Sequence, residues 1–87
     1  MRYGLRLSAA ARSALSETLP GQIAAAVWEF IDGPLRDNPH RVGKPLRLRL
    51  EGFHSARRGQ YRVIYRILDT EVIVEMVKIS HRSDTYG

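Results

Sequence analysis

The stretch SARRGQYRVIYRI, residues 55–67, places Arg57, Arg58, Arg62 and Arg66 on or beside two strand-like runs joined by a glycine-bearing turn. Guanidinium groups in such an arrangement hold planar anions, carboxylate or phosphate, through paired N–H donors, and they stay charged at any physiological pH. Further along, HRSDTY adds Arg82 and Tyr86. A phenol has a reference pKa of about 10 and becomes a useful base near neutrality only beside cations, which Arg62 and Arg82 could supply. His54 and His81 are an alternative acid–base pair, since imidazole titrates in the right range, although nothing in the sequence says that they approach each other. His40, His54 and His81 lack the ligand spacing of a zinc site, and the absence of cysteine removes thiolate ligands and cysteine nucleophiles. Structural alternatives stand beside each role. Arg62 could pair with Glu75 across a sheet, and Tyr86 could serve only as an anchor for the end of the chain.

The charge distribution sharpens the question. Between residues 41 and 66, Arg41, Lys44, Arg47, Arg49, Arg57, Arg58, Arg62 and Arg66 meet only Glu51, a local charge of +7 in a chain whose net charge is +5. Residues 1–40 are balanced and residues 67–87 carry −2. A single-sign block suggests a polyanion or an acidic partner, with a solubilising basic face as the plain alternative.

These side chains must be positioned by a small scaffold. Eighty-seven residues at 44% hydrophobic content are enough for one domain, 1–87, with one modest core. The apolar runs IAAAVW and VIV are too short to span a bilayer, MRYGLRLSAAARSAL has no signal-like apolar region, and the lack of cysteine fits a reducing compartment, so a cytoplasmic protein without membrane contact is expected. YGLRL alternates as a first strand, and Ser8 stands as an N-cap ahead of AAARSALSETL. Pro20 and Gly21 separate this helix from a second, whose stripe is Ile23, Val27, Phe30 and Ile31; Trp28 falls off the stripe, and its role is open. DGPLRDNPHRVGKP reads as loop with one helical turn at PLRDN. Three strand-like runs follow, LRLRLEGFHSARR, QYRVIYRIL and EVIVEMVKIS. The expected fold is α+β, in the order β-α-α-β-β-β, with a helical hairpin packed on one face of a small, mainly antiparallel sheet. Alternation turns Tyr61, Val63, Tyr65 and Ile67 toward the helices and Arg62 and Arg66 away from them. A short turn at Gly59–Gln60 brings Arg57 and Ser55 close to Arg62 on the open face, whereas a bulge would flip that register.

With these residues in view, the chain resembles the RelE/ParE superfamily of toxin–antitoxin toxins, and within it the RelE-type messenger-RNA endoribonucleases. The likeness runs from the strand ahead of SAAARSALSETLP through NPHRVGKPLRLRLEGFHSARRGQYRVIYRI to VKISHRSDTY; its most specific part is RRGQYRVIY joined at this distance to HRSDTY. It implies a RelE-like toxin fold and an enzyme that enters the ribosomal A site and cleaves messenger RNA without a metal or other cofactor, by attack of a ribose 2′-OH on the adjacent phosphate. By this resemblance Arg62 stabilises the phosphate and Arg57 is a second basic position. Arg82 stabilises phosphate or donates a proton, and Tyr86 acts as general base or stacks on a base. Two positions that are lysine in some family members are Phe53 and Ser55 here, which implies either replacement cations, with His54, Arg58, Lys44, Arg47 and Arg49 as the candidates, or a weaker enzyme. The wider RNA-binding set is Lys44, Arg47, Arg49, His54, Ser55, Arg58 and His81. The implied partners are the ribosome, messenger RNA and a cognate antitoxin with an acidic, amphipathic segment. A ParE-type gyrase inhibitor or a non-catalytic RNA-binding module is the alternative.

Overall fold

The computed structural model describes residues 2–81; Arg82 and Tyr86 lie outside the described residues. Strands β1 (Gly4–Leu7), β2 (Lys44–Pro45), β3 (Phe53–Arg58), β4 (Tyr61–Leu68) and β5 (Ile73–His81) form one sheet in the order β1-β5-β4-β3-β2. All neighbouring pairs are antiparallel except β1 and β5. Between β1 and β2 the chain forms helices α1 (Ala9–Ser13), α2 (Gly21–Phe30) and α3 (Pro39–Val42). The α+β architecture is the one expected, with α3 and β2 as added short elements.

Ser8 does two jobs at the start of α1. Its hydroxyl oxygen accepts from the Ala11 N–H at 3.1 Å, and the hydroxyl donates to the Val77 carbonyl at 2.6 Å. Val77 is the extra residue of a bulge in β5, because Ile64 faces Lys78 while the next residue, Tyr65, faces Met76. One serine thus caps a helix and ties it to the irregular point of the sheet.

Two sequence expectations need correction. Much of DGPLRDNPHRVGKP is helical: α2 runs on through a widened turn at Ile31–Leu35, and α3 follows. Pro34 widens the helix without ending it. Ile31 and Leu35 are fully buried, and at about 1.5–3 kcal/mol each they offset the roughly 3 kcal/mol of a helix-interior proline. The run LRLRL is not a strand. Lys44 and Pro45 pair with Ser55 and His54, the Leu46 N–H donates to the Phe53 carbonyl, and the chain then turns through a 3-10 helix at Leu48–Leu50. Among the described residues helices cover only the other face, so the leucines meet no core there, and Leu48 is 89% exposed.

The core lies between α2 and the sheet: Val27, Ile31 and Leu35 meet Val63, Tyr65, Val74 and Met76, with Ala11, Ala14 and Ala56 where the layers come close. Tyr65 is fully buried, donates its hydroxyl to the Pro39 carbonyl at 2.6 Å, and has its pKa pushed up to about 12 by burial. Gly43 lets the chain pass this hydroxyl. Any Cβ there would run into the Tyr65 hydroxyl and come within 2.8 Å of the Ser55 carbonyl. No helix among the described residues is long and apolar enough to cross a membrane. Gly43→Ala should therefore lower stability by about 1–3 kcal/mol, the range for overpacking a well-filled site, read as a shift in the urea midpoint. A wild-type midpoint would mean that β2 does not close against Tyr65.

Candidate active site

The site begins with a turn. Only Gly59 and Gln60 separate β3 from β4, and Gly59 has a φ of 63°, the left-handed value that a tight hairpin demands at its first turn position. The register follows from that turn: Arg58 faces Tyr61, Arg57 faces Arg62, Ser55 faces Ile64 and Phe53 faces Arg66. Val63 and Tyr65 are buried under the helices, so Arg57, Arg62 and Ser55 stand on the open face, where with Lys44 they line one cleft.

Two arginines directly opposite each other repel. Among the described residues no carboxylate pairs with Arg57 or Arg62. On β5, Arg62 faces Ser80, and it is Arg66 that faces and hydrogen-bonds Glu75. The structural alternative for Arg62, an ion pair with Glu75, is thus filled by Arg66. Of the four arginines in the hairpin, Arg66 is neutralised, Arg58 lies on the helix-facing side beside Tyr61, and Arg57 and the half-buried Arg62 form a facing pair that no carboxylate among the described residues compensates.

The remaining candidates separate. Lys44 reaches the cleft from β2, while Arg47 and Arg49 are exposed on the loop that follows. Arg58 and His81 line a groove on the other face with Ile23, Val27 and Tyr61, and His81 meets Tyr61 edge-on at 5.0 Å. His54 also points to the helix side, stacked on Tyr65 at 5.6 Å and edge-on to His40 at 5.8 Å. Its opposite residue on β4 is Tyr65 and that of His81 is Tyr61, four residues away. That spacing, roughly 13 Å along a strand, keeps the two histidines from acting as a pair. Trp28 is 39% exposed, outside the core. Sequence reasoning did not find Ile64, Val77, Lys78 and Ser80, which line a pocket beside Arg62 together with Phe53. The break in alternation at Val77–Lys78 was the available signal.

A second polar cluster joins α3 to the β4–β5 turn. The carboxylate of Asp69 accepts from the Tyr3 hydroxyl at 2.7 Å and contacts His40 Nε2 at 3.0 Å, and these hydrogen bonds, His40 first, lower its pKa. The His54 Nδ1 is buried without a hydrogen-bond partner. Burial chiefly, and then the neighbouring His40, lower the His54 pKa, with Asp69 opposing.

An α-helical layer on a five-stranded sheet, with an open cationic face, is the fold of a known class of small toxins. Residues 6–86 match the family described as the ParE toxin of the type II toxin–antitoxin system parDE, and the chain belongs to this RelE/ParE toxin family. It is 54% identical over 84 residues to the Toxin RelE of Mycobacterium tuberculosis, covering 97% of this chain and 86% of that protein. With the Toxin RelG of the same organism it shares 49% identity over 86 residues, covering 99% and 98%. In structure it is similar to the toxin in the RelBE2 toxin–antitoxin complex from M. tuberculosis, with a TM-score of 0.90 and 48% identity over 97% of this chain and 95% of that one.

Two measurements follow from this geometry. Arg57→Gln, which keeps the side-chain stem and removes one of two facing charges, should at low ionic strength match the wild type or exceed it by about 0.2–1 kcal/mol, and the difference should shrink in salt. A loss above that range would show that Arg57 holds the fold together. Acid should destabilise the protein in two windows. Because His54 has a lowered folded pKa, the unfolded chain takes up its proton first as pH falls below about 6.5. The stability that Asp69 contributes is present above its unfolded value of about 3.8 and is lost as pH falls through the lower folded pKa. Thermal unfolding at pH 7.5 and 5.5 should show a fall in Tm that His54→Phe reduces; equal falls in both proteins would remove His54 from the account.

Proposed function

We propose that this toxin is a ribosome-dependent endoribonuclease that cleaves messenger RNA in the ribosomal A site, in the cytoplasm, and is held in check by a cognate antitoxin with an acidic, amphipathic segment. The observation that carries the reading is the facing pair Arg57 and Arg62, on a solvent-facing sheet with no described carboxylate to satisfy it. Such a pair suits a phosphate, and above all the extra charge of a pentacoordinate phosphorane.

In the proposed step the ribose 2′-oxygen attacks the adjacent phosphorus while a base takes the 2′ proton. The bond from phosphorus to the 5′-oxygen then breaks, and that oxygen receives a proton, leaving a 2′,3′-cyclic phosphate and a 5′-hydroxyl. Arg62 and Arg57 hold the non-bridging oxygens. Tyr86 is the proposed base and Arg82 the proposed donor or second phosphate ligand; both roles rest on the resemblance in HRSDTY. The name of the matched family favours one second reading, a ParE-type gyrase inhibitor. Either toxin fits an acidic antitoxin whose carboxylates meet the same arginines.

Arg62→Ala should relieve growth inhibition at equal expression and lower single-turnover cleavage on programmed ribosomes by on the order of 10²–10³, the cost of a lost transition-state donor. Primer extension on messenger RNA after induction separates the readings: cuts within translated codons support the ribonuclease, and DNA damage with intact messages supports the gyrase inhibitor. Full toxicity of Arg62→Ala would rule out this site.

A further inference from the structure

The open face carries a second pocket, which shares Arg62 and Ser55 with the cleft of Arg57 and extends away from it toward β5. Phe53, Ile64 and Val77 form its floor, and the loop after β2 walls it with Leu46 and Leu50. Around this apolar floor stand Ser55, Ser80, Lys78 and Arg62. Ser80 is 8% exposed, a buried polar side chain at the edge of the apolar floor. An apolar floor with a few convergent polar groups is the composition of a site for a small, flat, partly polar group.

Size and charge narrow the occupant. The volume, about 340 Å³, lies at the low end of the range for small-ligand sites, enough for one base and its sugar and short of the run of anchors that an amphipathic helix lays down. The pocket's charged rim is cationic, Arg62 and Lys78. Arg62 and Ser55 also line the Arg57 cleft, so the two cavities share a wall. A phosphate bridging Arg57 and Arg62 therefore has an adjoining base within reach of Phe53. The loop wall is held at some cost: Leu48 has a φ of 60° and is almost fully exposed, a conformation and an environment that leucine disfavours.

We infer that this pocket takes one nucleobase of the RNA substrate, next to the phosphate held by Arg57 and Arg62, with Phe53 as its stacking surface and Ser55, Ser80 and Lys78 along its polar edge. The inference rests on the ribonuclease reading and assigns that site a base-reading element. Stacking tolerates any base, because each has a π-face, while the two serines and the lysine discriminate among edges.

The test is a double-mutant cycle between protein and RNA. Single-turnover cleavage is measured on ribosomes programmed with messages that are intact or abasic at each of the three positions of the A-site codon, for wild type, Phe53→Leu and Phe53→Tyr. One abasic position should slow the wild type about tenfold, the scale of one stacked base. Phe53→Leu should lose a similar factor on intact RNA and nothing further on that abasic message, and Phe53→Tyr should restore the wild-type pattern. Independent penalties at all three positions, or wild-type rates for Phe53→Leu, would overturn the inference while leaving the ribonuclease reading intact. It fails equally if Phe53→Leu weakens binding of an acidic antitoxin peptide and shows no coupling to any base, since the pocket then belongs to the peptide. A wild type that cuts no message overturns the ribonuclease reading, and this inference with it.

Discussion

A hairpin closed by two residues has almost no freedom of register, and most of what this protein presents to its surroundings follows from that. With Gly59 and Gln60 fixed, Arg58 must face Tyr61, and every pair down the ladder is determined. A slip of one residue would turn Val63 and Tyr65 to water and drive Arg62 beneath α2. Burying those two side chains contributes about 1.5–3 kcal/mol each, whereas opposing Arg57 to Arg62 costs about 0.2–1 kcal/mol. The core therefore wins and holds two like charges together. The site is a by-product of packing on the other face, which makes it rigid at the point where preorganised charge is useful.

The bulge at Val77 extends the same logic to β5. Without it, Val77 and Glu75 would face Tyr65 and Ile67, and Met76 and Val74 would be expelled. One extra residue restores parity, so that Val74, Met76 and Ile79 all enter the core. The same residue puts Val77 beside Lys78 on the open face, where both line the pocket near Arg62. Ser8 then takes the Val77 carbonyl, so the start of α1 reinforces the irregularity on which the open face depends.

What could be read from the sequence was whatever a strict period enforces. The alternation in YRVIYRIL assigns every side chain of β4 to its face, and GQ between two strands announces the turn. LRLRL alternates as cleanly and misleads, because alternation marks a strand only if a core lies on one side, and the helices here cover the opposite face of the sheet. The loop expectation around Pro34 failed for a related reason: Ile31 and Leu35, four residues apart, bury enough surface to carry a helix past a proline. His54 looked like a cation for the RNA face because it sits among basic residues in sequence; its strand parity, the same as that of Ala56, places it inside. The partner of Arg62 needed the β4–β5 register, which the bulge hides from any count of residues.

Several exceptions to local preference share one side, although Val72, at a φ of 54° in the β4–β5 turn, and the buried His54 Nδ1 do not. Arg57 opposite Arg62, Leu48 at positive φ in solvent and half-exposed Leu50 lie on the open face of the sheet or on the loop after β2, whereas the helix-covered face holds the main apolar core. A chain of this size can keep such features only where the core does not depend on them. On the proposed reading, RNA and antitoxin meet the same unmet requirement, negative charge between Arg57 and Arg62. Once one has supplied it, the other gains little from the same cations and must displace it to bind. Mutual exclusion then follows from electrostatics and occupancy on a preformed surface, and the toxin need not change shape to be silenced.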